Sequence, residues 1–297
     1  MPTVAFLGLG KIGRPMAACL ARAPGVTLAV WNRTAEKAAS FVEEHGARHA
    51  ASPADAARGA DVVITCFPVS ADVVSLLDGT AGLLAGMTAG ATLIDCTSGD
   101  PATSNAIASR LATLGIGFLD APVSGGTIAA EKGTLTVMVG GEAALFERVL
   151  PVLEIFGQKI VHCGPVGSGD ALKAVNNALL AVHIWSLAEG LVTLTKAGVD
   201  PTAALDVINA SSGRSNSSMN LFPERVLTRA FPRTFRLALL DKDVGIAAGV
   251  AREQKVPAPL IQLTADLFRI AHTALGEEAD HVEAVRIVEQ WANQEIG

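Results

Sequence analysis

Three glycines near the start of the chain constrain its fold more than any other feature. They stand at Gly8, Gly10 and Gly13, directly after the apolar run 4–7 and ahead of a stretch with helical character. At such a junction the first glycine permits a tight turn, the second lets the backbone approach a phosphate, and the third lets the helix pack closely on the strand. The N–H groups at the start of the helix would then face an anion. We therefore expect a dinucleotide to bind the loop formed by Gly8, Leu9, Gly10, Lys11, Ile12 and Gly13.

Short β-rich runs alternate with helical stretches over the first part of the chain. Strands are predicted at 4–7, 27–31, 62–66, 92–96 and 118–121, with helices ending near 23 and spanning 35–44, 71–77 and 101–114. Strands that alternate with helices indicate a parallel sheet covered on both faces. A strand pair around 135–139 and 160–162, flanking a helix at 142–155, closes this domain. The prediction is an α/β fold with a Rossmann-type doubly wound parallel sheet.

After Gly164, Pro165 and Gly167 the alternation ends. Some 30 residues without proline, rich in Ala and Leu, run to Gly198 and predict one long helix over about 167–197. Further helices are predicted near 201–210, 236–255, 259–275 and 280–294. We therefore expect a dinucleotide-binding domain over 1–164 and an all-α domain for substrate binding and oligomerisation over 165–297, with the long helix as a rigid connection between them.

Composition argues against several classes of function. The net charge of −6, from 23 basic and 29 acidic side chains, argues against a nucleic-acid partner. The four cysteines are widely spaced and have no histidine at metal-ligand spacing, so no metal site is expected. No uncharged apolar run reaches the roughly 18 to 20 residues that a membrane span requires, and no basic region precedes the first strand. The expectation is a cytoplasmic protein without a membrane partner.

The residues after the second strand indicate which dinucleotide would bind. A carboxylate there would pair with the ribose hydroxyls of NAD, whereas this chain has Asn32, Arg33 and Thr34. A planar cation between two hydrogen-bonding side chains suits a 2′-phosphate, which favours NADP(H). The alternative is that Arg33 is an ordinary solvated loop arginine. Phe67, Pro68 and Thr97 follow later strands and are candidate contacts to the adenosine and nicotinamide ends.

Four sequence blocks together identify a family. They are FLGLGKIGRPMA at 6–17, DAPVSGG at 120–126, GSGDALKAVNN at 167–177 and the pair Lys242-Asp243. Their order and spacing cover nearly the whole chain and resemble the β-hydroxyacid dehydrogenases, of which the 3-hydroxyisobutyrate dehydrogenases are members. The resemblance implies a homodimer or homotetramer, which also agrees with the apolar helices predicted near 174–195 and 236–255.

The resemblance implies a catalytic role for Lys173 as the general acid and base. Asn177 stands four residues later, on the same face of the predicted helix, and can hold the substrate oxygen beside the ammonium. In this interpretation Lys173 protonates the carbonyl oxygen as hydride arrives from the cofactor, or accepts a proton in the reverse direction. The alternative is a lysine that only extends its charged end to solvent.

Two further sites would bind the carboxylate of a small substrate. Ser124, Gly125 and Gly126 offer a hydroxyl and exposed backbone N–H groups after a strand, although a plain glycine turn is the alternative. By the resemblance, Lys242 would reach the nicotinamide ribose or the substrate carboxylate, with Asp243 orienting it. The alternative for this pair is a solvated ion pair.

These residues predict an NADP-dependent oxidoreductase that interconverts a small β-hydroxyacid and its semialdehyde, of the 3-hydroxyisobutyrate dehydrogenase, semialdehyde reductase or glyoxylate reductase type. An imine reductase of the same fold typically has Asp or Tyr in place of Lys173, and a non-catalytic NADP-binding relative loses this lysine. A phosphogluconate dehydrogenase would need a longer helical domain with more basic residues. All three therefore remain weaker hypotheses.

Overall fold

The structure, a computed structural model, describes residues 2–297. The strands in this range are β1 Thr3–Leu7, β2 Thr27–Trp31, β3 Arg48–His49, β4 Val62–Thr65, β5 Thr92–Asp95, β6 Gly117–Asp120, β7 Val123–Ser124, β8 Leu135–Gly140 and β9 Gly157–Gly164. The helices are α1 Gly13–Arg22, α2 Ala35–His45, α3 Pro53–Ala57, α4 Ser70–Ser75, α5 Leu83–Gly86, α6 Pro101–Ala112, α7 Gly126–Lys132, α8 Ala143–Leu153, α9 Ser168–Lys196, α10 Pro201–Ala210, a π-helix Ser217–Val226, α11 Leu237–Glu253, α12 Pro259–Leu275, a 3₁₀-helix His281–Ala284 and α13 Val285–Ala292.

The chain divides into two units, one ending at Lys173 and the other spanning Ala174–Gly297. The division falls inside α9, so this helix contributes residues to both units. The domain boundary predicted between 164 and 165 stays a prediction.

The first unit contains one sheet with the strand order β3-β2-β1-β4-β5-β6 in parallel. Side chains of β1 alternate between two cores, because Val4 and Phe6 pack on one face and Ala5 and Leu7 on the other. Beyond β6, β8 runs antiparallel to β6 and β7, and β9 pairs with β8 in parallel. The predicted Rossmann-type sheet is confirmed, and the predicted strand pair corresponds to β8 and β9.

The sequence analysis did not predict six elements: β3, α3, α5, β7, α7 and the π-helix. Most are too short to show a hydrophobic period. The π-helix has ten residues but contains Pro223 and a polar start, both of which argue against a helix in a sequence pattern. The structure nevertheless buries Phe222 and Val226 completely, so packing overrides these local preferences.

The second unit is all-helical and is built around α9. Its core contains Ala178, Ala181 and Ala188 of α9 together with Phe222 and Phe268 from later helices. Of the described helices, α9 is the one that is long and apolar enough to cross a membrane, by length and composition alone. Core helices of globular proteins meet the same criterion, and Ala178, Ala181 and Ala188 of α9 are buried in the second unit. The cytoplasmic location stays a prediction.

A buried carboxyl group joins the start of α9 to α6 and to the loop that precedes α6. Asp170 is 1% exposed and accepts hydrogen bonds from Gly99 N at 3.2 Å and Ser104 Oγ at 2.6 Å. Burial, with the neighbouring carboxylates of Asp120 and Asp95, raises the pKa of Asp170 to about 8. The Asp170 carboxyl therefore keeps its proton to a higher pH in the folded protein than in the unfolded chain.

This shift predicts how stability depends on pH. Because the folded-state pKa lies above the ordinary value of 3.8, the folded protein binds a proton that the unfolded chain has released. The stabilisation is complete below about pH 4 and is lost as the pH rises through about 8. We compare the free energy of unfolding of Asp170→Asn with that of wild type at each pH. The difference, variant minus wild type, should be more positive at pH 9 than at pH 4 by at least about 1.4 kcal/mol, which corresponds to one pKa unit.

Urea unfolding at both pH values measures this difference, and Asp206→Asn, at an exposed position of α10, is the control. Parallel pH profiles for wild type and Asp170→Asn would contradict the expectation.

Candidate active site

The glycine loop between β1 and α1 has little room for side chains at two of its positions. Gly8 has φ +103°, and a Cβ there would collide with the Cys66 carbonyl oxygen and lie 3.1 Å from the Phe67 ring. A Cβ on Gly13 would collide with the Gly8 carbonyl oxygen. Gly10, in contrast, is exposed and has open space where a Cβ would be. The loop therefore presents bare backbone at Gly10 while the glycines beside it are tightly packed.

The start of α1 carries no group that would compete with an anion. The helix begins at Gly13, its first turn contains no acidic residue, and the half-buried Ile12 before it offers no side-chain cap. Lys11, in the loop, is exposed. The N–H groups that a helix start leaves without intrahelical partners are thus combined with the positive end of the helix dipole. This combination suits a pyrophosphate.

Asn32 connects the glycine loop to the end of β2. Its Oδ1 accepts a hydrogen bond from Leu9 N at 2.9 Å, and its Nδ2 donates to the Thr34 carbonyl oxygen at 3.0 Å. Asn32 is therefore used in holding the two loops together. Thr34 is exposed and precedes α2.

Arg33 projects into solvent, with 85% of its side chain exposed. Its guanidinium lies 3.6 Å from the Asp72 carboxylate of α4. The sequence analysis missed Asp72, because nothing in the local pattern indicates that a residue 39 positions later returns to the end of β2. A phosphate that bound Arg33 would compete with this carboxylate.

Phe67 and Thr97 lie in adjacent loops, after β4 and β5. Phe67 N donates to Thr97 Oγ1 at 3.0 Å, and Thr97 N donates to Asp95 Oδ1 at 3.0 Å. Asp95 also accepts from Thr65 Oγ1 at 2.8 Å, and burial raises its pKa to about 6. These bonds hold Phe67 and Thr97 together, and the Phe67 ring also lies beside Gly8, whereas Pro68 is exposed.

The segment at Ser124, Gly125 and Gly126 forms the end of β7 and the start of α7. Ser124 is half-buried, and both glycines are exposed. Gly125 has φ +133°, and a Cβ on it would lie 2.6 Å from the Ala129 Cβ. The position therefore requires glycine, and the backbone around it is open to a ligand.

Lys173 lies in the second turn of α9 and is half-buried. Asn177 is four residues further along the same continuous helix and is 4% exposed. Residues four apart share one face of an α-helix, so both residues lie on the same face of α9, and their joint role stays a prediction. Asn176, the residue before Asn177, is exposed.

In the second unit a buried carboxylate holds Asn177 and Lys242. Asp243 is 2% exposed and accepts a hydrogen bond from Asn177 Nδ2 at 2.6 Å. Its other oxygen lies 2.9 Å from the Lys242 ammonium. An amide nitrogen carries two N–H groups, so one remains that could donate to a ligand.

The Lys242–Asp243 pair is largely buried, because its side chains are only 22% and 3% exposed. It therefore differs from the solvated pair considered as the alternative. Arg214, outside this network, is exposed.

Comparisons with known proteins match both units. Residues 3–164 match the family model described as the NAD binding domain of 6-phosphogluconate dehydrogenase. Residues 167–288 match the model described as NAD-binding of NADP-dependent 3-hydroxyisobutyrate dehydrogenase. The 2-(hydroxymethyl)glutarate dehydrogenase of Eubacterium barkeri is 36% identical, over 99% of this chain and 97% of that protein. The 3-hydroxyisobutyrate dehydrogenase of Pseudomonas aeruginosa is 38% identical, over 93% and 94%.

Solved structures agree with these matches. A Mycobacterium tuberculosis 3-hydroxyisobutyrate dehydrogenase with L-serine is 32% identical, with a TM-score of 0.88, and covers 97% of this chain and 99% of its own. Psf3, in complex with NADP+ and 2-OPP, is 26% identical, with a TM-score of 0.83 over 96% and 99%. An imine reductase from Streptomyces aurantiacus, 20% identical with a TM-score of 0.61 over 96% and 99%, shares the fold alone. The chain belongs to the β-hydroxyacid dehydrogenase family, and is an NAD(P)-dependent dehydrogenase acting on CH–OH groups.

Proposed function

We propose that this chain is an NADP(H)-dependent oxidoreductase that interconverts a small β-hydroxyacid and its semialdehyde, with Lys173 as general acid and base. The observation that carries the proposal is the alignment of Lys173 with Asn177 on one face of α9, where the buried Asp243 fixes the Asn177 amide. A proton donor and an N–H donor one helical turn apart can both reach a single substrate oxygen.

The residues of the first unit fit a dinucleotide. Open space at Gly10 and the uncapped start of α1 accommodate a pyrophosphate, and Phe67 and Thr97 lie beside the loop. A bound nicotinamide supplies the hydride acceptor or donor at its C4. We propose that Lys242 contacts the nicotinamide ribose or the substrate carboxylate, held by Asp243.

The chain's own groups would move the proton and hold the substrate. In reduction, Lys173 Nζ gives a proton to the carbonyl oxygen, and in oxidation it accepts the proton of the hydroxyl. The remaining N–H of the Asn177 amide donates to the same oxygen. The Ser124 hydroxyl and the backbone N–H groups of Gly125 and Gly126 bind the carboxylate and so orient the reacting carbon.

The relatives suggest the substrate class. The names 3-hydroxyisobutyrate and 2-(hydroxymethyl)glutarate, like the L-serine in the M. tuberculosis structure, describe molecules with a hydroxymethyl group on the carbon that carries a carboxylate. We propose that this chain also takes such 2-substituted 3-hydroxypropanoates. Consumption of NADPH, followed by its absorbance, compares methylmalonate semialdehyde, the carbonyl form of such a compound, with succinate semialdehyde and glyoxylate, which lack the 2-substituted 3-carbon frame.

Substitution of the lysine tests the mechanism. We expect Lys173→Ala to lower kcat by about 100-fold or more, because general acid–base catalysis contributes on this scale. NADPH binding, measured by fluorescence titration, should stay close to wild type. Lys196→Ala is the matched control, since Lys196 is exposed at the end of the same helix. Turnover of Lys173→Ala at the native rate would refute the mechanism.

A cyclic imine added to the same substrate panel tests two of the three weaker hypotheses, the imine reductase and the non-catalytic NADP-binding protein. An imine reductase would reduce a cyclic imine with NADPH faster than any semialdehyde of the panel. A non-catalytic NADP-binding protein would bind the cofactor but turn over none of these compounds. Identities of 36% to 38% with hydroxyacid dehydrogenases, against 20% for the imine reductase, favour the dehydrogenase.

The preference for NADP(H) depends on Arg33. We expect Arg33→Ala to raise KM for NADPH about tenfold, the effect of losing one charge-assisted hydrogen bond, and to change KM for NADH much less. Arg58→Ala is the control, because Arg58 is an exposed arginine paired with Asp55 at 3.5 Å. A wild-type preference for NADH, or equal effects of Arg33→Ala on both cofactors, would contradict this assignment.

We further propose that residues 1–164 form the dinucleotide-binding domain, that 165–297 form the substrate domain, and that the protein is a homodimer or homotetramer. Exposed apolar side chains on two helices of the second unit support assembly: Leu179 of α9 and Leu260, Leu263 and Ile270 of α12. Light scattering should give a mass two or four times the 30.5 kDa of one chain, and a monomer would contradict this proposal.

A further inference from the structure

Asp120, the last residue of β6, bonds its buried carboxylate to the start of α9. The residue is 0% exposed, and its Oδ1 accepts a hydrogen bond from Gly167 N at 2.7 Å. Its Oδ2 accepts a hydrogen bond from Asp170 N at 3.0 Å. One carboxylate from a strand thus caps a helix that begins almost fifty residues later in the chain.

The Asp120 carboxylate lies at the end of α9 where backbone N–H groups require acceptors. The first N–H groups of a helix have no intrahelical partner, and a negative charge is favourable at that end. Both oxygens of Asp120 are used, so the bonds fix the position of the helix along its axis and its rotation about that axis. Lys173 follows Asp170 by three residues, about one turn, and its backbone is therefore fixed by the same bonds.

Two glycines make room for the carboxylate. Gly140 of β8 is paired with Asp120, and a Cβ there would lie 2.5 Å from Oδ1. A Cβ on Gly169 would lie 2.9 Å from Oδ2 and would also collide with the Met138 carbonyl oxygen. The strand and the helix start therefore approach as closely as backbone allows, and the carboxylate fills the space between them.

We propose that Asp120 is a positioning residue for the reaction, which holds Lys173 in register with the substrate-binding segment that begins at Ser124. Asp120 lies four residues before Ser124 and bonds directly to the helix that carries Lys173, so it connects the two groups. The proposal rests on the proposed role of Lys173.

A double-mutant cycle tests this role. We expect Asp120→Asn, whose amide presents N–H groups to the N–H donors of α9, to lower kcat at least tenfold with little change in the Kd for NADPH. In a Lys173→Ala background the same substitution should lower kcat less than twofold, because the group it positions is absent. If Asp120→Asn does not fold, Asp120→Ser, which keeps an acceptor for the helix N–H groups, takes its place.

Asp280→Asn provides a matched control. Asp280 is 1% exposed and accepts backbone hydrogen bonds from Thr234 N at 2.8 Å, Phe235 N at 2.9 Å and Val282 N at 3.2 Å. It resembles Asp120 in burial and in its backbone hydrogen bonds, differs in also contacting Arg225 and His281, and lies outside the proposed site. Its substitution should lower stability while kcat of the folded protein stays within twofold of wild type.

Hydrogen exchange gives a readout that needs no substrate. The amides of Gly167 and Asp170, which donate to Asp120, should exchange at least tenfold faster in Asp120→Asn than in wild type or Asp280→Asn. Wild-type exchange at these amides, an unchanged kcat, or an equal loss of kcat with and without Lys173 would each overturn the proposal. Native turnover by Lys173→Ala would instead contradict the proposed function, and the cap on α9 would then be judged by the exchange rates alone.

Discussion

The close contact between α1 and the end of β1 is the constraint on which the first unit depends. Gly8 and Gly13 lie so near each other and the β4 loop that a Cβ on either would collide with backbone oxygen. This contact places the helix N-terminus over the carboxyl end of the central strand, where the loops of β2, β4 and β5 also lie. Short hydrogen bonds can therefore join residues that are distant in sequence, Leu9 to Asn32 and Phe67 to Thr97.

Much of this arrangement could be predicted, because it follows from local patterns. The parallel strands have continuous apolar runs, α10 begins with the cap Asp200 and Pro201, and the glycine spacing marks the first turn. Such signals depend on residues that are neighbours in the chain. Lys173 and Asn177 could be aligned for the same reason, since one helix carries both.

Contacts between distant residues could not be predicted in this way. Nothing near Arg33 indicates that Asp72 lies beside it, and nothing near Asp243 indicates that it accepts a hydrogen bond from Asn177. The π-helix was not predicted for another reason. Pro223 and the polar first turn favour a loop, and the helix depends on the burial of Phe222 in the core. In each case tertiary packing determines the geometry, and the local sequence is compatible with several alternatives.

The Arg33–Asp72 pair has a consequence for how the chain would distinguish its two possible dinucleotides. Asp72 acts as a resident counter-ion, so an incoming 2′-phosphate must displace it, whereas a ribose without phosphate leaves the pair intact. If Arg33 binds the 2′-phosphate as proposed, the selectivity depends on the difference in free energy between the Arg33–phosphate and the Arg33–Asp72 ion pairs. Because 85% of the Arg33 side chain is in solvent, dissolved salt screens the attraction of Arg33 to Asp72 and to a phosphate alike. The free-energy difference between these two ion pairs is therefore smaller at high salt.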